Sequence, residues 1–127
     1  MYNNTDGSSN IAIGNESMYQ NTDGSNNVAM GYRAMYNNTR AYSMLSLGQE
    51  SAYFNTDGSY NVSIGYQSMY SNTDGSSNVS IGTRSMFDNT AGTHNISIGY
   101  ESMYKNQSGI SNISMGDKSL YNNNEGN

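Results

Sequence analysis

The chain has 127 residues with no Cys, Pro or Trp, and it carries 14 Gly, 12 Tyr and 9 Met, a length that suits one domain. Ten acids against five bases leave a net charge of −5, which argues against a nucleic-acid backbone as partner, because phosphate contacts need clustered Lys and Arg. Without Cys there is neither a disulfide framework nor a thiolate metal site, and a single histidine, His94, gives acid–base catalysis little to work with.

In chain order, the first feature is an apolar–small–apolar–Gly tetrad at Ile11-Ala12-Ile13-Gly14. It recurs at Val28, Leu45, Val62, Val79, Ile96 and Ile113, always 17 residues on and without insertion. Numbered from its first apolar residue, the unit reads V-S-I-G-Y-x-S-M-Y-x-N-T-D-G-S-x-N. Residues 1–10 are the end of a further copy, so the whole chain, 1–127, reads as one array of about 7.5 coils. One inserted residue would break the register of every stacked row, so an indel-free period is the mark of a solenoid. Seventeen residues are too few for a helix–turn–helix repeat of ~33–47 residues. The predicted fold is therefore all-β, a parallel β-solenoid with two short strands per coil. The first strand covers positions 17 to 3 and the second positions 7 to 10, with the Asn-Thr-Asp-Gly run as the turn.

Period-2 alternation sends positions 1 and 3 to one side, expected to be the coil interior. That assigns a core ladder to Ile11, Ile13, Val28, Met30, Leu45, Leu47, Val62, Ile64, Val79, Ile81, Ile96, Ile98, Ile113 and Met115. Position 8 completes it with Met18, Met35, Met69, Met86, Met103 and Leu120, and with Met1 in the partial copy. Leu, Ile, Val and Phe total only 16 residues, a thin filling set against the entropy of ordering the chain. Several chains are therefore expected to associate. Position 2, expected to face outward, is uniformly small, which suggests a chain–chain interface at Ala12, Ala29, Ser46, Ser63, Ser80, Ser97 and Ser114.

Position 11 is Asn in every copy: Asn4, Asn21, Asn38, Asn55, Asn72, Asn89, Asn106 and Asn123. Stacked amides can donate and accept along the rod. Matches to N-x-S/T, such as Asn61-Val62-Ser63, are by-products of such a ladder, because an inward Asn cannot carry a glycan. Position 9 is aromatic throughout, from Tyr2 to Tyr121. Position 5 adds Tyr32, Tyr66 and Tyr100 on alternate coils, candidates for surface recognition. One copy departs from consensus. Met44 replaces Asn and Ala52 replaces Met, with Phe54 close by; Met44 and Phe54 are expected to supply the volume Ala52 removes, a recognition spot being the rival idea.

Paired acids at Asp6/Asp23 and Asp57/Asp74 are read as turn chemistry rather than a Ca2+ site, and no nucleophile, phosphate-binding or dinucleotide motif appears. The expectation is a non-enzymatic chain without metal or cofactor. No apolar run approaches the ~18–20 residues of a membrane span, so no membrane insertion is expected, and this segment shows no secretory signal.

The Asn-Val-Ser-Ile-Gly motif at Asn61 to Gly65, followed by small Ser68, resembles the head repeats of YadA-type trimeric autotransporter adhesins and similar phage tail-fibre arrays. The resemblance spans the chain, although the family repeat is usually shorter. It implies a left-handed β-roll, three chains about one axis, and attachment outside a cell or on a virion to a host surface protein or glycan. Two other functions are weighed beside it: a self-polymerising filament subunit, and a monomeric solenoid binding ice or glycan.

Overall fold

The computed structural model describes residues 2–126. Met1, assigned above to the position-8 row, lies outside the described residues. Seven three-residue strands stack in chain order: β1 (Ile11–Ile13), β2 (Val28–Met30), β3 (Leu45–Leu47), β4 (Val62–Ile64), β5 (Val79–Ile81), β6 (Ile96–Ile98) and β7 (Ile113–Met115). They form one parallel sheet in the order β1 to β7. Each residue pairs with its equivalent one repeat on, as in Val62↔Val79, Ser63↔Ser80 and Ile64↔Ile81. The molecule is an all-β parallel solenoid with 17-residue coils and, among the described residues, no helix.

The expected second strand does not form. Positions 5 to 10 run as a turn-rich segment, because positions 6 and 8 lie in the left-handed region: Gln67 has φ 52 and Met69 φ 49, and values of 46–57 recur from Glu16 to Leu120. Hydrogen bonds still pass from coil to coil there, as in Met69 N donating to Ser85 O at 3.0 Å and Ser71 N to Phe87 O at 2.8 Å. The ladder survives without extended backbone. A left-handed non-glycine residue costs about 1–2 kcal/mol, and it persists because both neighbouring coils fix it.

The second correction concerns which side is in. Position 2 points into the coil: Ala29, Ser46, Ser63, Ser80 and Ser97 are fully buried, Ser114 nearly so, and Ala12 packs partly buried against the same interior. They are not an outer interface. Conversely, Ile11, Val28, Leu45, Val62, Val79, Ile96 and Ile113, with Ile13, Met30, Leu47, Ile64, Ile81, Ile98 and Met115, point outward and are half-buried or exposed. They are not the core. Alternation separates two faces but does not say which is interior, and a one-residue shift exchanges them. Here the walls approach too closely for branched side chains.

The interior is polar. Among the described residues, 20 buried polar side chains, besides Glu101 of an outer row, stand against 10 apolar ones, glycine aside. Met18, Met35, Met69, Met86 and Met103 are the large apolar members, as expected from position 8, while Leu120 in the last coil is exposed. Serines at positions 2 and 7 face each other across the coil: Ser51 Oγ lies 2.8 Å from Ser63 Oγ, and Ser63 Oγ donates to Ser68 O at 2.8 Å. The position-11 ladder is continuous. Asn72 Nδ2 donates to Asn55 Oδ1 at 2.6 Å and to Gly75 O at 2.8 Å, while Asn89 Nδ2 donates to Asn72 Oδ1 at 2.7 Å. A second row at position 17 links backbone N–H to the amide oxygen one coil back, as in Asn78 N to Asn61 Oδ1 at 2.8 Å. Every buried side-chain N or O among the described residues has a partner, so the polar filling carries no desolvation penalty from orphaned groups.

The divergent copy is half as expected. Met44 is buried in one cluster with Met35 and Ala52, and its sulfur accepts from Asn61 N at 3.3 Å, where an Asn oxygen stands in other coils. Phe54 adds no interior volume. It is 42% exposed and meets Tyr53 and Tyr70 edge-on.

Candidate functional site

With the interior closed and polar, the features available to a partner lie on the outside. Three rows follow the rod axis. The first is the aliphatic face of positions 1 and 3, two columns of seven side chains on one parallel sheet. At ~4.8 Å per rung it is about 30 Å long. Its residues stay dry only on the side that touches the neighbouring rung.

The second row is aromatic. Tyr2, Tyr19, Tyr36, Tyr53, Tyr70, Phe87, Tyr104 and Tyr121 stack with centroids 4.9–5.1 Å apart and planes within 12° of parallel. Offset stacking of this kind adds to area burial. Burial pushes the Tyr53, Tyr70 and Tyr104 hydroxyls above the ordinary tyrosine value. The sign follows: these groups stabilise the fold while neutral, and that contribution is present below the unfolded value of ~10 and lost as pH rises through the higher folded values. Stability to urea should therefore hold to about pH 9 and decline as pH rises past ~10. A spectrophotometric titration in which all tyrosines ionise together near 10, with no loss of stability, would contradict this.

The third row follows the turn after the strand. Position 5 is exposed in every coil, and it places Tyr32, Tyr66 and Tyr100 on alternate rungs with Gln49 and Thr83 between them. Arg33 sits 4.9 Å over the Tyr32 ring, and Lys118 sits 5.8 Å from the Tyr100 centroid. Charges at position 6 alternate along the axis. Arg33 Nε meets Glu16 at 2.5 Å, and the Glu101 carboxylate lies between Arg84 and Lys118 at 3.7 and 3.8 Å. These pairs keep like charges from stacking and contribute little individually. On the opposite turn, the Arg40 guanidinium hydrogen-bonds the Asp57 carboxylate through two nitrogens and holds its carboxyl below the usual range.

Among the described residues no concave pocket is present, and no group of three or more His, Cys, Asp and Glu could hold a metal ion. His94 is exposed at position 16. Among the same residues, no helix is long and apolar enough to cross a membrane. The described surface offers periodic rows in place of a cleft.

No protein-family model matches the chain, and no curated protein or solved structure is significantly similar to it. The likeness to YadA-type head repeats therefore rests on its motif residues alone, and the functional reading rests on the rows. Sequence reasoning picked out the Asn ladder but took position 2 for the outward side and positions 1 and 3 for the inward one. The available signal was variability. Positions 1 and 3 exchange Ile, Val, Leu and Met freely, whereas position 2 admits only Ala or Ser and position 11 only Asn. Constraint of that kind belongs to the tightly filled side.

Proposed function

We propose that the chain is a non-enzymatic fibrous module for attachment, built by lateral association of sister chains through the aliphatic face, with a trimer as the favoured state. One observation carries this reading: fourteen aliphatic side chains point out of a sheet whose interior is already filled without them. A contiguous apolar strip about 30 Å long is the kind of surface that marks an interaction site. Three such faces turned towards one axis would bury it and leave positions 5 and 6 on the rim. The left-handed roll and the number three rest on the motif likeness. An exposed, repetitive rim without a cleft suits adhesion outside a cell or on a virion, to a surface protein or glycan, better than it suits chemistry. The expected partners are copies of the same chain and an external surface; no nucleic acid, membrane or cofactor is required.

Sedimentation equilibrium tests it. The wild-type chain should run as a discrete trimer at micromolar concentration. Replacing Val62 and Ile64 together by Lys should weaken association at least about a hundredfold, because charges cannot be desolvated in the apolar strip. The coil itself should stay folded, since both side chains point outward. A wild-type monomer at high concentration, or a trimer indifferent to these two substitutions, overturns the reading.

A further inference from the structure

We propose that the Tyr32–Tyr66–Tyr100 row binds a neutral β-1,4-linked polysaccharide laid along the rod axis, each ring stacking on every second sugar. This rests on the attachment reading above and names its ligand class.

The argument begins with spacing. Rings at position 9, one rung apart, are 4.9–5.1 Å from centroid to centroid. Alternate rungs therefore place the position-5 tyrosines about 10 Å apart, close to the length of one disaccharide in an extended β-1,4-linked chain. In such a chain successive sugars are turned over, so the same ring face returns only at every second unit. The row has the same two-fold alternation: an aromatic on one rung, and an amide or hydroxyl, Gln49 or Thr83, on the next. Aromatic rings suit the C–H face of a pyranose, and the intervening polar groups suit its hydroxyl edge.

Placement and charge agree. The three rings are 40–46% exposed. Their backbone is fixed to the next coil, with Glu50 N donating to Tyr32 O, Arg84 N to Tyr66 O and Lys118 N to Tyr100 O at 2.8–2.9 Å, so the spacing is built in before a ligand arrives. Arg33 and Lys118 each lie over one face of the outer two rings, so a sugar stacks there on the other face. The net charge of −5 disfavours uronate and sulfated chains, which leaves neutral glucan or N-acetylglucosamine polymers. Position 5 follows the Gly at which the sheet face ends, so the row remains accessible at the rim when the aliphatic face is covered.

The test is depletion of the soluble protein by microcrystalline cellulose and by chitin, with starch and a β-1,3-glucan as mis-spaced controls. Adsorption to a β-1,4-linked matrix is expected, and the matrix retained identifies the sugar. Tyr66→Gln should lower the partition constant roughly three- to tenfold. The decisive variant exchanges two residues, Tyr66→Thr with Thr83→Tyr, which keeps three tyrosines but spoils their even spacing; it should adsorb as weakly as Tyr66→Gln. No adsorption, equal adsorption to starch, or a re-spaced variant that binds like wild type overturns the proposal. Circular dichroism on each variant confirms the fold. Sedimentation of the same samples separates the two readings: a monomer that still adsorbs with this spacing dependence keeps the polysaccharide site and loses the trimer, and a trimer that does not adsorb does the reverse.

Discussion

Gly65→Ala should unfold the central coils, with an expected loss of about 3–5 kcal/mol. Two costs combine. Gly65 has φ +132, and a Cβ there would lie 2.5 Å from the carbonyl oxygen of Gly82 and 2.7 Å from its carbon. The obstacle is backbone, so no side chain can swing aside. Nor can the coils part, because Gly82 N is tied to Ile64 O at 2.8 Å and the strands on either side continue the ladder. Gly116 supplies the control. It shares the left-handed backbone, with φ +118, but a Cβ there meets nothing within 4 Å. Gly116→Ala should therefore cost only about 1–2 kcal/mol, and the difference between the two variants isolates the contact between coils. Urea denaturation followed by circular dichroism measures both. Equal, small losses would mean that neighbouring coils are not held at the spacing described here.

Asn72→Asp is expected to cost about 3 kcal/mol or more at pH 7. Asn72 is fully buried, and its Nδ2 donates two bonds while its Oδ1 accepts one from Asn89. A carboxylate keeps the acceptor role but turns both donor positions into repulsion against Asn55 Oδ1 and Gly75 O. The pH dependence is diagnostic. Burial beside two acceptors raises the folded-state pKa of the new acid above its unfolded value of ~3.9. The neutral form can donate again, so the penalty is smallest below that value and grows as pH rises through the folded one. Stability measured against wild type at pH 4 and pH 7 should show the gap widening. A constant gap, or none, would remove the Asn ladder from the list of what holds the rod together. Because a solenoid coil contacts only its neighbours, the loss should also spread locally, seen as hydrogen exchange accelerated most in the adjoining coils.

These two substitutions show why a chain so poor in branched aliphatics folds. Its stability comes from translation. Each Asn of position 11 finds a partner in the same Asn one coil away, each serine pair recurs from coil to coil, and each position-9 ring finds the next ring. Polar filling of this kind is economical only when complete, which explains why positions 2, 7 and 11 tolerate so little variation while the outward strand positions drift among aliphatic types. Met44 is instructive here. It interrupts the position-17 amide row, yet its sulfur accepts the bond from Asn61 N, and its bulk lies in one cluster with Ala52.

The period itself, the parallel stacking in register, the Met, Asn and aromatic rows and the special Gly of position 4 follow from the sequence alone. An unbroken 17-residue repeat allows only equivalent residues to meet, so every row is written in the order of letters. The sense of the strand does not follow. Val62-Ser63-Ile64 alternates equally well with either face inward, and the habit of placing aliphatics inside selects the wrong one. Neither does the missing second strand, since the left-handed backbone at Gln67 and Met69 is imposed by hydrogen bonds from the next coil and not by local preference. The first was decided by the closeness of the coil walls, where serine hydroxyls 2.8 Å apart leave no room for a branched side chain and turn the aliphatic columns outward, and the second by the bonds that neighbouring coils impose on the turn.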